Sequence, residues 1–324
     1  MNECKKEKKG RDLNVVYCDN WLNNNLPDKS ANLIIADPPY YKVKGEFDFI
    51  WKTFDDYLAD VEKWAIECKR VLADNGTLFW YGDAKNIAYA QIIFDKHFNL
   101  LNNIVWENTN DHKQQIRFNE DLRTFAPLTE RILMYSNEQY NLTQCVYHIR
   151  DYIRAEIIKA KGKIVLKQVN EALGTATNGG GVASACLSLD KTEPTMFTKE
   201  MYEKLQKWCY PELRKEYEEL RKEYEELRRP FNNALHLGDV IRLPNHDTSK
   251  YDHDTVKPEK LTRILINTCS RKGDLVVVPF AGSGTECAMS AKEGRNFIGF
   301  DIEQKHVYTS NKRCQWILRQ PQLF

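Results

Sequence analysis

The 324-residue chain has no apolar run approaching the roughly 18–20 residues that cross a bilayer, so a membrane span is not expected. It also lacks a Cys-x-x-Cys pair. Its nine cysteines, at 4, 18, 68, 145, 186, 209, 269, 287 and 314, are scattered, odd in number and mostly flanked by apolar residues. That argues against a zinc ribbon or disulfide framework and for reduced core thiols in a cytoplasm. Net charge is nearly absent: 47 Lys and Arg against 46 Asp and Glu leave +1. No global excess announces a nucleic-acid partner, and any such surface has to be local. The first eleven residues carry four lysines with no apolar stretch behind them. A secretory leader is therefore not expected, and a flexible basic N-terminus over 1–11 is.

What is present reads as α/β at both ends. Asn14 to Cys18 and Asn32 to Ala36 are short apolar runs of the buried-strand type. Phe54 to Leu72 has apolar residues at helical spacing, and Asp74-Asn75-Gly76 predicts its stop. A strand at Thr77–Tyr81, a helix at Ala84–Lys96 and strands at Leu100–Trp106 and Arg131–Tyr135 follow. The pattern resumes with a helix at Pro258–Ser270, a strand at Asp274–Val278, a helix at Glu286–Lys292 and a strand at Asn296–Phe300. Such alternation predicts a doubly wound α/β sheet. It implies a catalytic domain split into 12–140 and 232–324 around a mainly helical insertion, 141–231.

Within the insertion, helices are expected at Ile149–Lys163, Val165–Leu173 and Val182–Leu187. The last two flank a glycine-rich break at Gly174 and Gly179–Gly181, which fits either a helix-turn-helix or a helical insert with a flexible loop. Arg150, Arg154, Lys159, Lys161, Lys163 and Lys167 form a local basic cluster against Asp151 and Glu156. The four lysines are candidates for DNA phosphate contacts, a solvated helix face being the alternative. The heptapeptide ELRKEYE occurs at 212–218 and again at 219–225, giving a short heptad segment over 212–229. Two to three heptads ended by Pro230 suit a helix packed on its own domain, or a short spacer, better than a free coiled coil.

Two motifs carry chemistry. Phe280-Ala281-Gly282-Ser283-Gly284-Thr285 follows a buried strand and opens a helix, so backbone and helix-end amides can approach a ligand closely. It has no Lys, which disfavours a nucleoside triphosphatase. Asp301 ends the next strand, where a carboxylate can hold ribose hydroxyls. Alone, this pattern also fits a tight glycine turn in any α/β domain. The second motif, Asp37-Pro38-Pro39-Tyr40, ends the strand Asn32–Ala36. Its two prolines fix an extended turn that presents an acceptor and an aromatic ring with little freedom.

Together these residues resemble the S-adenosylmethionine-dependent DNA amino-methyltransferases. The order, DPPY first and FAGSGT last, is similar to their permuted beta class. His253-Asp254-Thr255-Val256-Lys257-Pro258 resembles that class's HPTxKP segment, and Cys18-Asp19 its Gly-Asp. Trp80–Asp83 and Trp106-Glu107-Asn108 resemble later motifs of the catalytic domain, and VNEALGT with NGGGVAS resembles an insert of phage-type adenine enzymes. The resemblance implies a Rossmann-like mixed sheet of the methyltransferase type, S-adenosyl-L-methionine as cofactor, no required metal, and double-stranded DNA as partner. Asp37 and the Pro38 carbonyl would accept the two N–H bonds of a flipped base's amino group, with Pro39 shaping the turn and Tyr40 stacking on the base. Phe280 to Thr285 would wrap the methionine part, Asp301 hold the ribose and Asp19 reach the cofactor's adenine. Lys257, with His253 and Thr255 nearby, would meet the methionine carboxylate. A homodimer, a cognate restriction endonuclease and a nucleoid-associated bacterial or phage setting are left open.

The activity expected is methylation of adenine N6 in DNA, with cytosine-N4 methylation or a catalytically weakened DNA-binding relative as alternatives. The latter arises because Val278 stands where the family usually has an acid, and Asp254 where it has proline. Asp274 or Glu286 could compensate for Val278. Cytosine-C5 methylation is disfavoured, since it needs a Pro-Cys nucleophile and no cysteine follows a proline.

Overall fold

The computed structural model describes residues 10–43, 50–137, 142–177, 181–191, 195–245 and 256–320. They fall into two compact units, Met1–Glu138 with Pro230–Phe324, and Gln139–Arg229. The first is built on eight strands: β1 Val15–Cys18, β2 Ala31–Ala36, β3 Leu72–Gly82, β4 Asn99–Asn108, β5 Thr129–Ser136, β6 Val240–Leu243, β7 Leu275–Val278 and β8 Asn296–Asp301. Their order is β1-β8-β7-β2-β3-β5-β4-β6. Neighbours run parallel except where β5 pairs with β3 and β4, so β5 alone among the described strands is antiparallel.

Alternation along the central strands separates two cores. Leu33, Ile35, Val276 and Val278 face one side, and Ile34, Ala36 and Val277 the other. The second face is covered by α1 (Phe54–Val71) and α2 (Ile87–Phe94); a short α3 (Asp111–Gln115) lies beyond β4. The helices on the first face are α9 (Glu259–Cys269), α10 (Thr285–Lys292) and α11 (Gln304–Leu318). The fold is thus the expected doubly wound α/β sheet.

Helix α1 starts at a capping box, with Thr53 Oγ1 accepting from the Asp56 amide and Asp56 Oδ2 from the Thr53 amide. It buries Tyr57, Val61, Trp64, Ala65, Cys68 and Val71. A Trp64→Ala change would cost about 3–5 kcal/mol by the usual scale for large core residues. The helix ends at Val71, and β3 begins at once, so Asp74-Asn75-Gly76 is not the expected stop. Those residues belong to the strand, where the β2–β3 register shifts between the Ala31↔Leu72 and Leu33↔Thr77 pairs.

The second unit comprises α4 (Leu142–Lys161), α5 (Leu166–Leu173), α6 (Gly181–Leu187), α7 (Lys199–Trp208) and α8 (Tyr217–Leu227). Ile149, Ile153 and Ile157 of α4 pack with Val169, Leu173, Tyr202, Leu205 and Leu220 in its core. The heptad segment is helical only from Tyr217, near the end of its first copy, to Leu227, with Leu220 buried in that core; Leu213 precedes the helix. Asn170 links α5 and α6, its Oδ1 accepting the Ala183 amide at 2.9 Å. Gly179 and Gly180 lie outside the described residues. The basic cluster is smaller than the sequence suggests. Arg150 and Arg154 turn inward and donate to the carbonyls of Ser188 and Leu187, satisfying the C-terminal end of α6.

Among the described residues, no helix is long and apolar enough to cross a membrane, and no group of His, Cys, Asp or Glu is placed to hold a metal ion. The described cysteines are all free thiols, and all but Cys18 are buried.

Candidate active site

In a parallel sheet the loops after the strands gather at one edge, and ligands bind in the crevice outside those carboxyl ends. Here β1 delivers Asp19, β2 delivers Asp37, β7 delivers the loop from Pro279, and β8 delivers Asp301. These four deliveries line a single cleft of about 290 Å³. The two motifs, some 240 positions apart in the chain, therefore share one cavity.

At its inner end Asp37 is held by two neighbours. Tyr40 donates its hydroxyl to Oδ1 at 2.6 Å, and Lys257 Nζ pairs with Oδ2 at 2.9 Å. Lys257 also reaches Glu130 Oε2 at 2.9 Å and the Tyr40 hydroxyl at 3.3 Å. Glu130 is the second residue of β5, and because β5 is antiparallel its first residues lie at the same edge as the other strands' ends. Burial alone would pull Lys257 down, but the Asp37 and Glu130 carboxylates outweigh it and hold the ammonium above its usual value. Burial, with Asp37 and Glu130 beside it, raises the Tyr40 phenol, so Tyr40 stays a neutral donor. Lys257, expected at the methionine carboxylate, lines the cleft with its charge shared between these two carboxylates.

The glycine loop is braced from beneath. Asp301 Oδ2 accepts the Gly282 amide at 2.8 Å, and the Phe300 carbonyl accepts the Ala281 amide at 2.7 Å. Helix α11 supplies the other struts: Ser310 Oγ donates to the Gly282 carbonyl at 2.9 Å, and Arg313 donates to the Ser283 carbonyl and the Thr285 hydroxyl at 3.2 and 3.0 Å. Gly284 sits at φ +72° against α11, where a Cβ would fall 2.6 Å from Ser310 Cβ. Phe280, Ala281, Gly282 and Ser283 line the cleft; Gly284 and Thr285 do not. Those two shape the loop from behind, Thr285 being fully buried. Phe280 is fixed edge-on against Trp64 of α1, with centroids 5.0 Å apart.

Asp301 spends its other oxygen on the Glu303 amide and His306 Nδ1. Burial pushes its carboxyl up, but His306 and the two amides outweigh that and hold it below the usual range. Asp19 lines the cleft beside it, its amide donating to the Asp301 carbonyl at 3.0 Å and its carboxylate paired with Arg11 at 2.5 Å. Pro38, Pro39, Tyr40 and Lys257 also line the cleft. His253 and Thr255 lie outside the described residues. Asp274 precedes β7 at the far edge, its Oδ2 accepting the Arg271 amide, and is remote from the cleft.

Several residues went unread in the sequence: Glu130, Ser310, Arg313, His306 and the aromatic wall of Trp21, Trp51 and Trp64. Glu286 had been read only as a substitute for an acid at 278. It lines the cleft at 4% exposure, and burial, with Asp37 nearby, pushes it up to about 7 against the pull of a backbone amide, Lys257 and Arg313. The segment between β4 and β5 leaves the same sheet edge and exposes Phe118 and Phe125 beside Arg117 and Arg123.

A family model described as DNA methylase, N6_N4_Mtase, matches residues 31–312. The chain belongs to this DNA methylase family. The methylase is 23% identical over 318 residues to the type II methyltransferase M2.DpnII of Streptococcus pneumoniae, covering 93% of this chain and 89% of that one. It is 25% identical over 296 residues to the DNA adenine methyltransferase YhdJ of Escherichia coli strain K12, covering 89% and 77%. Among solved structures, the cytosine-N4-specific PvuII DNA methyltransferase matches with a TM-score of 0.54 at 12% identity, over 94% of this chain and 90% of that one. That last likeness is one of fold.

In the second unit, Lys159 pairs with Glu156 at 2.6 Å, and Lys161 lies over the Trp208 ring at 4.8 Å. Lys163 and Lys167 are exposed.

Proposed function

We propose that this methylase transfers the methyl group of S-adenosylmethionine to the exocyclic N6 of a flipped adenine in double-stranded DNA. The observation that carries the reading is the shared cleft, in which the DPPY turn and the glycine loop meet at the sheet's carboxyl edge. The likenesses to M2.DpnII and YhdJ favour adenine over cytosine-N4. The cleft suits the cofactor chemically, with a glycine loop for close approach, an anionic residue at the end of β8, and an orphan carboxylate oxygen on Glu286. Bound there, S-adenosylmethionine supplies an electrophilic methyl on a sulfonium.

The chain's own residues prepare the amine. An aromatic amine's lone pair is delocalised into its ring, which makes it a poor nucleophile. Asp37 would accept one N–H and the Pro38 carbonyl the other, drawing the nitrogen toward tetrahedral geometry and fixing its lone pair for in-line attack. Tyr40 and Lys257 hold the Asp37 carboxylate in place, and each oxygen retains a lone pair for the substrate. An amine inside a duplex cannot reach such a cleft, so the base is flipped out, with the Tyr40 ring as one wall. Phe118 and Phe125, with Arg117 and Arg123, offer stacking faces and cations on the same edge for the opened strand. The chain order from DPPY to FAGSGT supports the permuted class, and the second unit is its target-recognition part, with Lys163 and Lys167 as phosphate contacts. Likeness to a type II methyltransferase supports a companion restriction endonuclease.

The test uses purified chain, labelled cofactor, and duplex DNA or structured RNA. Transfer to the duplex that Asp37→Ala reduces at least about 100-fold, with DNA retention unchanged, supports the reading. Transfer to RNA alone, or none with DNA still bound, rejects it in favour of an RNA enzyme or a weakened binding relative.

A further inference from the structure

Glu286 is the second residue of α10, beside the glycine loop and in the wall of the cleft. It is 4% exposed, and its Oε1 has no hydrogen-bond partner among the described residues. Two cationic side chains stand near enough to act on it, but both are engaged elsewhere. Lys257 is held by Asp37 and Glu130, and Arg313 by Glu259, Ser283 and Thr285. A buried carboxylate oxygen left without a donor destabilises the protein that carries it. The ligand-free fold therefore keeps at this point a buried acceptor that it does not itself satisfy. Its chemical complement is a cation with N–H bonds to give, entering from the cleft.

We propose that Glu286 holds the α-ammonium at the amino-acid end of S-adenosylmethionine. This rests on the cofactor reading above and assigns one residue within it. The cofactor has two cationic centres. The sulfonium has no N–H and has to face the amine at Asp37, so the ammonium is the one that can both neutralise Oε1 and hydrogen-bond to it. Two features of the chain fit. Strand β7 ends in Val278, so the strand itself brings no acid to the loop, and Asp274 is at the wrong edge. Glu286 lies in the first turn of α10, where the helix dipole favours a carboxylate over its protonated form.

The experiment is isothermal titration of the full chain and its Glu286→Gln variant with three ligands. S-adenosylhomocysteine carries the whole amino-acid end. Its desamino analogue keeps the carboxylate without the ammonium, and 5′-methylthioadenosine has neither. None carries a sulfonium. E286Q should weaken S-adenosylhomocysteine roughly 10- to 100-fold, the range of a buried charge-assisted hydrogen bond. It should leave the other two ligands within about twofold. Equal affinity of both proteins for S-adenosylhomocysteine overturns the assignment and leaves the cofactor reading standing. An equal loss on all three ligands overturns it too, since the cleft has then collapsed. If the native chain binds none of them, the cofactor reading fails and the assignment with it. Ligand-free E286Q should melt at or above the native chain at pH 8; a lower melting temperature removes the premise of an orphan carboxylate.

Discussion

The buried Glu286 carboxyl, whose Oε1 lacks a donor among the described residues, makes a prediction about the ligand-free protein that involves no enzymology. Burial, with Asp37 just after β2, holds the carboxyl to about 7, while a backbone amide, Lys257 before α9 and Arg313 on α11 pull it back; Tyr81 on β3, raised by burial and by Glu286, stays neutral nearby. Unfolded, it titrates near its ordinary 4.5. Between those two values the unfolded chain binds fewer protons than the folded one, so stability falls as pH rises through the window. The gap from 4.5 to about 7 corresponds to roughly 3 kcal/mol of destabilisation at pH 8. At pH 5 most of that penalty is absent, because it accumulates only as pH climbs from the unfolded value toward the folded one, and that climb has barely begun there. Glu286→Gln keeps the shape and removes the titration. By the usual scaling of about 2–4 °C per kcal/mol, it should raise the melting temperature of the catalytic unit by about 6–12 °C at pH 8. At pH 5 it should raise it by no more than a few degrees. Scanning fluorimetry of native and variant proteins at both pH values reads the difference. An equal shift at the two pH values, or a fall at pH 8, refutes the picture of a buried carboxylate with one oxygen left without a donor.

Other consequences follow from the same geometry. Lys257→Met leaves Asp37 and Glu130 without their shared counter-charge. It should lower stability by about 3 kcal/mol, the low end for a broken buried pair because both carboxylates keep some solvent contact, as urea unfolding at pH 7 will show. Gly284→Ala forces a Cβ against Ser310 at a positive φ, so it should destabilise the catalytic unit by at least 1–2 kcal/mol, roughly the cost of left-handed backbone alone. It should also weaken S-adenosylhomocysteine by shifting the loop, measured by melting and titration together. Changing Lys163 and Lys167 to Gln should flatten the slope of log affinity against log salt by roughly 0.9 per lost phosphate contact. Lys159→Gln should flatten it less, since Glu156 already pairs with that lysine.

How much of this could be read from the chain depended on where the information sits. Strand-terminal Asp37 and the Phe280–Gly284 loop announce themselves because prolines and glycines fix a local backbone that chemistry needs. The central strands were legible as continuous apolar runs, since parallel strands buried on both faces have no polar side. Helix α11 was not, because its inward face carries Ser310 and Arg313 as well as Val307 and Cys314, so no apolar period marks it. Yet it is the strut under the glycine loop. Strand β6, four residues with alternating burial, is too short to stand out. Glu130 reaches the site only because β5 runs against its neighbours, a fact of topology that no local pattern encodes. The opposite error occurred at Arg150 and Arg154. Counting charge along the chain makes them surface, while helix packing turns them toward the carbonyl end of α6.

The central claim, that the cleft joining Asp37 to the glycine loop methylates adenine, is tested most directly by its product. Duplex DNA incubated with the pure chain and S-adenosylmethionine, then digested to nucleosides and analysed by mass spectrometry, should contain N6-methyladenine, and at least about 100-fold less should form with Asp37→Ala. N4-methylcytosine in its place, or N6-methyladenine undiminished in the variant, would contradict the account.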